Sequence, residues 1–246
     1  MSMKINKENS ADNWKQRTMM LIGEEACEKL KAAHVAVFGV GGVGGFAVEA
    51  LCRAGVGTIS VIDGDVITET NLNRQIIATR DTIGMSKVKV MKKRILSINP
   101  EAVVHTHHCF VLPGETMEQF DFADFDYVID ALDTVTTKIE LVIKAGQVNI
   151  PIISSMGTGN KLDPSCLMVA DIFSTSVCPL AKVMRKELRS RGVKGLLVVY
   201  SKEEPLRPIF MPENENRRGL PGSISFVPSS AGLLLAATVV RKLLMS

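Results

Sequence analysis

Residues 34–45, HVAVFGVGGVGG, decide how this chain reads. Four apolar residues, 35–38, lead into Gly39-Val40-Gly41-Gly42-Val43-Gly44, and an apolar-periodic run over 46–51 follows. Strand, glycine turn and helix in that order present backbone N–H groups and a helix N-terminus to a phosphate. Gly39 permits the tight turn, Gly41 the close approach of backbone to phosphate, and Gly44 close packing of helix on strand. With Gly42 these form the candidate phosphate cradle. A glycine turn without a ligand gives the same pattern, so context matters. Asp63 ends the next candidate strand, 58–62, at the place of a ribose-binding carboxylate. The turn alone does not say which nucleotide is held.

Working outward, 246 residues suffice for one large α/β domain with a sizeable core, and we expect a single domain over 1–246. Apolar content of 46% excludes wholesale disorder, and a net charge of +3 is too small to name a partner. Five scattered cysteines (Cys27, Cys52, Cys109, Cys166 and Cys178) form no CxxC pair. That argues for a reducing compartment and against structural zinc. The start, MSMKINKENSADNW, lacks the apolar core of a secretory signal, so a cytoplasmic location is expected. The apolar run 231–240 is about half a membrane span and reads as a buried helix, with no stable membrane insertion.

Residues 1–10 are expected to be disordered, with helices over 12–21 and 24–30. From 34 to 151, candidate strands 34–38, 58–62, 102–107, 126–130 and 150–154 alternate with candidate helices 43–54, 86–98 and 134–147. This alternation predicts an α/β, Rossmann-like, doubly wound, mostly parallel sheet with ligands at the strand C-terminal ends. The second half predicts strand 166–172, basic helix 179–191, strand 195–200, a mobile loop 202–222, strand 223–227 and helix 230–244. They would form an antiparallel C-terminal extension with flanking helices. His105, His107 and His108 do not share one face of their strand, so they read as surface histidines rather than a metal site.

Polar clusters gather at the predicted strand ends and at one helix start. Asp63-Gly64-Asp65 is followed by Asn71-Leu72-Asn73-Arg74-Gln75; Lys87 starts a helix; and Asp130-Ala131-Leu132-Asp133 ends strand 126–130. The macrodipole opposes a lysine at a helix N-terminus by a few tenths to ~1 kcal/mol. A surface tolerates that placement, and an anion lying between lysine and helix makes it favourable. Arg74 and Lys87 together could neutralise a triphosphate, with Asp133, and Asp130 beside it, as oxygen ligands for Mg²⁺. A dinucleotide needs only the glycine turn and Asp63, so the extra cations favour ATP over NAD.

Taken in order, GxGGxG, Asp63-x-Asp65, Asn71-x-Asn73-Arg74-Gln75, Lys87 and Asp130-x-x-Asp133 resemble the ubiquitin-activating-enzyme-like superfamily of adenylating enzymes. The resemblance implies that Asp63 binds ribose hydroxyls and that Asn71, Arg74 and Lys87 contact phosphates. It also implies that Gln75 lines the pocket, Asp133 binds Mg²⁺ and Arg17 reaches the phosphates of a partner subunit in a homodimer. The implied chemistry is attack of a carboxylate on the α-phosphate of ATP. Stretches such as Arg17-Thr-Met-Met-Leu-Ile-Gly-Glu-Glu-Ala, Ser155-Met-Gly-Thr-Gly-Asn and Pro179-Leu-Ala-Lys-Val-Met-Arg-Lys-Glu-Leu resemble the threonylcarbamoyladenosine dehydratase branch. That branch implies a threonyl carboxylate on a modified tRNA adenosine, closed to a ring with loss of AMP and no cysteine nucleophile. The alternatives are an adenylyltransferase for a sulfur-carrier protein and an NAD-binding oxidoreductase.

Lys182, Arg185, Lys186 and Arg189 lie at i, i+3, i+4, i+7, continued by Arg191 and Lys194, with Arg217 and Arg218 in the loop. Such a face suits tRNA phosphates, or is simply a solvated helix surface. With aromatics at 5%, no base-stacking platform is visible. Cys178, ahead of the basic helix, is either a packed residue or a thiol activated by the helix N-terminus. Expected partners are tRNA, a second copy of the chain and a sulfur-relay protein.

Overall fold

A computed structural model describes residues 13–210 and 221–245. The expectations for residues 1–10 and for Arg217 and Arg218 lie outside the described residues. The elements run α1 (Gln16–Ile22), α2 (Glu24–Ala32), β1 (His34–Phe38), α3 (Gly44–Ala54), β2 (Thr58–Ile62), α4 (Lys87–Ile98) and β3 (Val103–His107). They continue β4 (Tyr127–Asp130), α5 (Val135–Gln147), β5 (Ile152–Ser155), β6 (Leu167–Asp171), α6 (Pro179–Ser190), β7 (Leu197–Ser201) and α7 (Phe226–Met245).

The seven strands form one sheet in the order β3-β2-β1-β4-β5-β7-β6. Every neighbouring pair is parallel except β6 with β7, which is antiparallel. The mostly parallel, doubly wound sheet with an antiparallel C-terminal pair follows from the strand–helix alternation. β1 shows why its sequence is apolar throughout. Val35 and Val37 enter the core beneath α3, α4 and α7, while Ala36 and Phe38 enter the core on the other face. A central parallel strand buried on both faces has no polar side to show.

Helix ends follow local chemistry. Gly55, at φ 96°, ends α3 in the left-handed region that glycine occupies without strain. α4 stops at Asn99, the residue before Pro100, and α6 begins with Pro179, whose missing N–H belongs to an unpaired first turn.

Two expectations are corrected. Residues 223–227 are not a strand: α7 starts at Phe226, with Pro228 in its first turn and Val227 and Pro228 buried. The apolar–polar alternation of Ser223-Ile224-Ser225-Phe226 imitated a strand, but Val227, Ala231, Leu235 and Val239, all buried, recur at helical spacing. Nor are residues 202–206 loose. The Glu203 carboxylate accepts from the Leu162 and Asp163 N–H groups, Lys161 Nζ donates to the Glu203 carbonyl, and Leu206 N–H donates to the Asn160 carbonyl.

By length and composition α7 could cross a membrane, yet its buried face lies against α3 and the sheet. It approaches the glycine turn closely: a Cβ on Gly232 would run into the Val43 carbonyl oxygen and lie 3.0 Å from Ala47 N. We expect Gly232→Ala to cost about 1–3 kcal/mol of stability by overpacking, read as a lower urea midpoint with an unchanged slope.

Candidate active site

The glycine turn leaves β1 at the C-terminal edge of the sheet. Gly39 sits at φ 91°, and a Cβ there would lie 2.7 Å from the Ala131 carbonyl oxygen. A Cβ on Gly44 would overlap the Gly39 carbonyl oxygen, so α3 starts as close to β1 as backbone allows. Around Gly41 the space is open, with Gln75 Nε2 the nearest atom at 3.9 Å. Among the described residues the N–H groups of Gly41, Gly42 and Val43 have no protein acceptor, whereas Gly45 N–H bonds to the Gly41 carbonyl. Unpaired N–H groups at the start of an eleven-residue helix are an arrangement suited to receiving an anion.

Asp63 closes the turn. Its Oδ2 accepts from Val40 N–H at 2.7 Å and its Oδ1 from Asp65 N–H at 2.8 Å. The carboxylate thus braces the turn and borders the space above it. Arg74 lies across the turn, its Cγ 3.1 Å from a Cβ on Gly42, and its Nη1 donates to the Thr70 carbonyl and Asn73 Oδ1, both at 2.9 Å. No carboxylate among the described residues neutralises it. Gln75 is buried beside Gly41 with Oε1 unpartnered. Asn71 is buried, and its Oδ1 accepts from Thr68 N–H to cap the turn that carries Arg74 and Gln75.

Lys87 is buried at the start of α4. Its Nζ lies 2.7 Å from Asp65 Oδ2 and 3.8 Å from Asp63 Oδ1. These two carboxylates supply negative charge beside a lysine that the helix macrodipole disfavours. Asp65, half-exposed, joins the site as a residue that sequence reasoning had left out of it.

The two aspartates of Asp130-Ala131-Leu132-Asp133 part company. Asp133 is exposed, and among the described residues its side chain has one hydrogen-bond partner, Thr134 Oγ1 at 3.3 Å. Asp130 is fully buried: Oδ1 accepts from Leu132 N–H, and Oδ2 accepts from Ser154 Oγ and pairs with Lys138 Nζ at 2.9 Å. Protein donors hold both oxygens, so Asp130 is withdrawn from the metal set. Lys138 was missed, although its spacing to Leu141, Val142 and Ala145 puts it on the buried stripe of α5. A lysine on such a stripe is a sequence signal for a buried ion pair.

Arg17 is not brought to the turn within this chain. It is exposed on α1, and Lys15 just before it packs on Gly55, at the opposite end of β2 from Asp63. On α6, Lys182, Arg185, Lys186 and Arg189 line a cavity of about 380 Å³. Two of them are partly engaged: Arg185 Nη1 donates to the Thr175 carbonyl and hydroxyl, and Arg189 lies 5.1 Å over the Phe173 ring. A larger cavity of about 920 Å³ opens at the N-terminal ends of β4, β5 and β7, away from the glycine turn.

No thiol with a shifted pKa is activated. Burial pushes Cys52 up to about 11 and raises Cys109, and the hydrogen bond to Asp163 raises Cys166. Cys178 is buried at the start of α6, its Sγ 3.9 Å from a Cβ on Gly157.

A Rossmann-like sheet with an open glycine cradle, a bracing carboxylate and an unneutralised arginine at one strand edge defines a nucleotide-phosphate-binding protein. Residues 15–246 match the ThiF family model, and the chain belongs to that family. It is 45% identical over 238 residues to the tRNA threonylcarbamoyladenosine dehydratase of Bacillus subtilis (strain 168), covering 93% of each chain. It is similar to solved structures of E. coli tRNA N6-threonylcarbamoyladenosine dehydratase at 34% identity. The complex with AMP gives a TM-score of 0.85 over 99% of this chain and 98% of that one; the complex with ATP gives 0.84 over 95% and 96%.

The cradle makes separable demands on its glycines. We expect Gly41→Ala to leave thermal stability within about 0.5 kcal/mol but to abolish the upward shift of melting temperature on adding ATP. Gly44→Ala should lower the melting temperature without ligand.

Proposed function

We propose that this protein is an ATP-dependent adenylating enzyme that dehydrates threonylcarbamoyladenosine in tRNA to its cyclic form. The observation that carries the nucleotide half is the cradle: N–H groups at the start of α3 beneath Arg74 that find no acceptor among the described residues. The acceptor half is supported by similarity along nearly the whole chain to relatives named for that dehydration. The threonyl carboxylate attacks the α-phosphate and pyrophosphate leaves. The carbamoyl oxygen then attacks the activated carbonyl carbon, AMP departs with one carboxylate oxygen, and the proton lost on ring closure goes to solvent.

The chain's residues bind and orient. The Gly39–Gly44 turn holds phosphate oxygens, while Asp63 accepts ribose hydroxyls on lone pairs its two backbone donors leave free. Asn71 and Gln75 fix the polar wall. Arg74 and Lys87 carry positive charge to the phosphates, where charge grows during transfer. For Lys87 this means exchanging the half-exposed Asp65 for phosphate. Mg²⁺ takes few protein ligands and otherwise substrate phosphates and water, so one open carboxylate, Asp133, fits the role. When bound, the ion offsets phosphate charge.

Arg17 would complete the site of a second copy of this chain. Supporting this, α1 presents Met20 and Leu21 at 82% and 84% exposure, a costly display unless covered. Lys182 and Lys186, with Arg185 and Arg189 behind them, would contact tRNA phosphates without reading sequence.

Pyrophosphate release from ATP tests this reading. It is expected with tRNA carrying threonylcarbamoyladenosine and not with a carrier protein ending in Gly-Gly; release with the carrier alone overturns the acceptor. Arg74→Ala and Asp133→Ala should each lower turnover roughly 10²–10³-fold. Mixing inactive Arg17→Ala and Lys87→Ala proteins should restore part of the activity, since one site of the mixed dimer regains both residues; no recovery counts against sharing.

A further inference from the structure

We propose that the buried Lys138–Asp130 pair is a positioning device that sets the register of the loop carrying Asp133 against the end of β5. Lys138 Nζ meets oxygens from three places: it donates to the Leu132 carbonyl at 3.1 Å and the Ser155 carbonyl at 2.8 Å, and it pairs with Asp130 Oδ2 at 2.9 Å. Asp130 is equally committed, to Leu132 N–H at 3.1 Å, Ser154 Oγ and Lys138. Leu132 is therefore gripped at both backbone groups, its N–H by Asp130 and its carbonyl by Lys138. Its Cδ2 lies 3.2 Å from a Cβ on Gly39, and Asp133 is the next residue. On the other side the pair holds Ser154 and Ser155, from which residues 156–159 leave β5.

Stability alone is a poor reason for this arrangement. Two fully buried charges are costly to desolvate, and apolar residues of similar volume often serve as well or better. The ion pair provides direction: it fixes two loop ends where the phosphate cradle and the Asp133 carboxylate meet. Neither residue touches a reactant, so both are positioning residues. The inference rests on the proposed role of Asp133, and the effect should fall on turnover, since a displacement near 1 Å of a reacting group costs roughly 10²-fold.

The test uses the full chain carrying Asp130→Asn and Lys138→Met together, which removes both charges and leaves none unpaired. We expect a melting temperature near that of the unmodified protein and ATP KM within about threefold. We also expect kcat lower by roughly 10–100-fold and faster amide hydrogen exchange at Leu132 and Asp133. A well-folded double variant with unchanged kcat overturns the proposal. Should the double variant fail to fold, Ser154→Ala loosens Asp130 alone. Faster exchange at Leu132 with a parallel fall in kcat supports the proposal, and unchanged kcat despite faster exchange, or no change in either, overturns it. Full activity in Asp133→Ala would defeat the Asp133 assignment; the exchange and kcat changes in the double variant are read independently of that result.

Discussion

The approach of Gly44 to the Gly39 carbonyl is the constraint on which the rest of this structure depends. No side chain fits between them, so α3 begins almost on top of the end of β1. That closeness turns the first N–H groups of α3 outward at the sheet edge, where partial positive charge accumulates. It also fixes where α3 lies, and α7 then packs on α3 with Gly232 against the Val43 carbonyl. The C-terminal helix thus rests on the same turn. Backbone contact at both places leaves little slack, because close-packed interiors transmit small displacements.

Much of this was legible in the sequence, for a physical reason. Central parallel strands must be apolar on both faces, so β1, β2 and β4 appear as short apolar runs ending in a turn or an aspartate. The glycine spacing is legible because sterics allow nothing else. Strand 223–227 failed as an expectation because four residues of alternation cannot outweigh a twenty-residue helical stripe that begins within them. Asp130 failed because sequence shows that a carboxylate stands at a strand end but not which way it faces. On β4 the side chain of Asp130 points inward to Lys138, while Asp133 falls beyond the strand and stays in solvent.

The basic face of α6 shows the same limit. Helical spacing correctly placed Lys182, Arg185, Lys186 and Arg189 together, and they line one depression. Spacing could not reveal that Thr175 and Phe173 wait behind the two arginines. An arginine's long apolar stem and planar fork let it serve packing and charge together. The lysines offer compact charges on flexible stems, which suits contacts to a polyanion that need no fixed geometry.

Two buried lysines stand beside the ends of β2 and β4, the strands that flank β1. Lys87 pairs with Asp65, whose side chain is 53% exposed, so water or an incoming anion can replace that carboxylate at modest cost. Lys138 pairs with Asp130, which is wholly enclosed, and breaking that contact would strand a charge with no solvent to receive it. The first pair is built to open and the second to stay shut. In the proposed mechanism the two complement each other: Lys87 would change its carboxylate for a substrate phosphate, while the Lys138–Asp130 pair would supply the fixed frame against which that change is made.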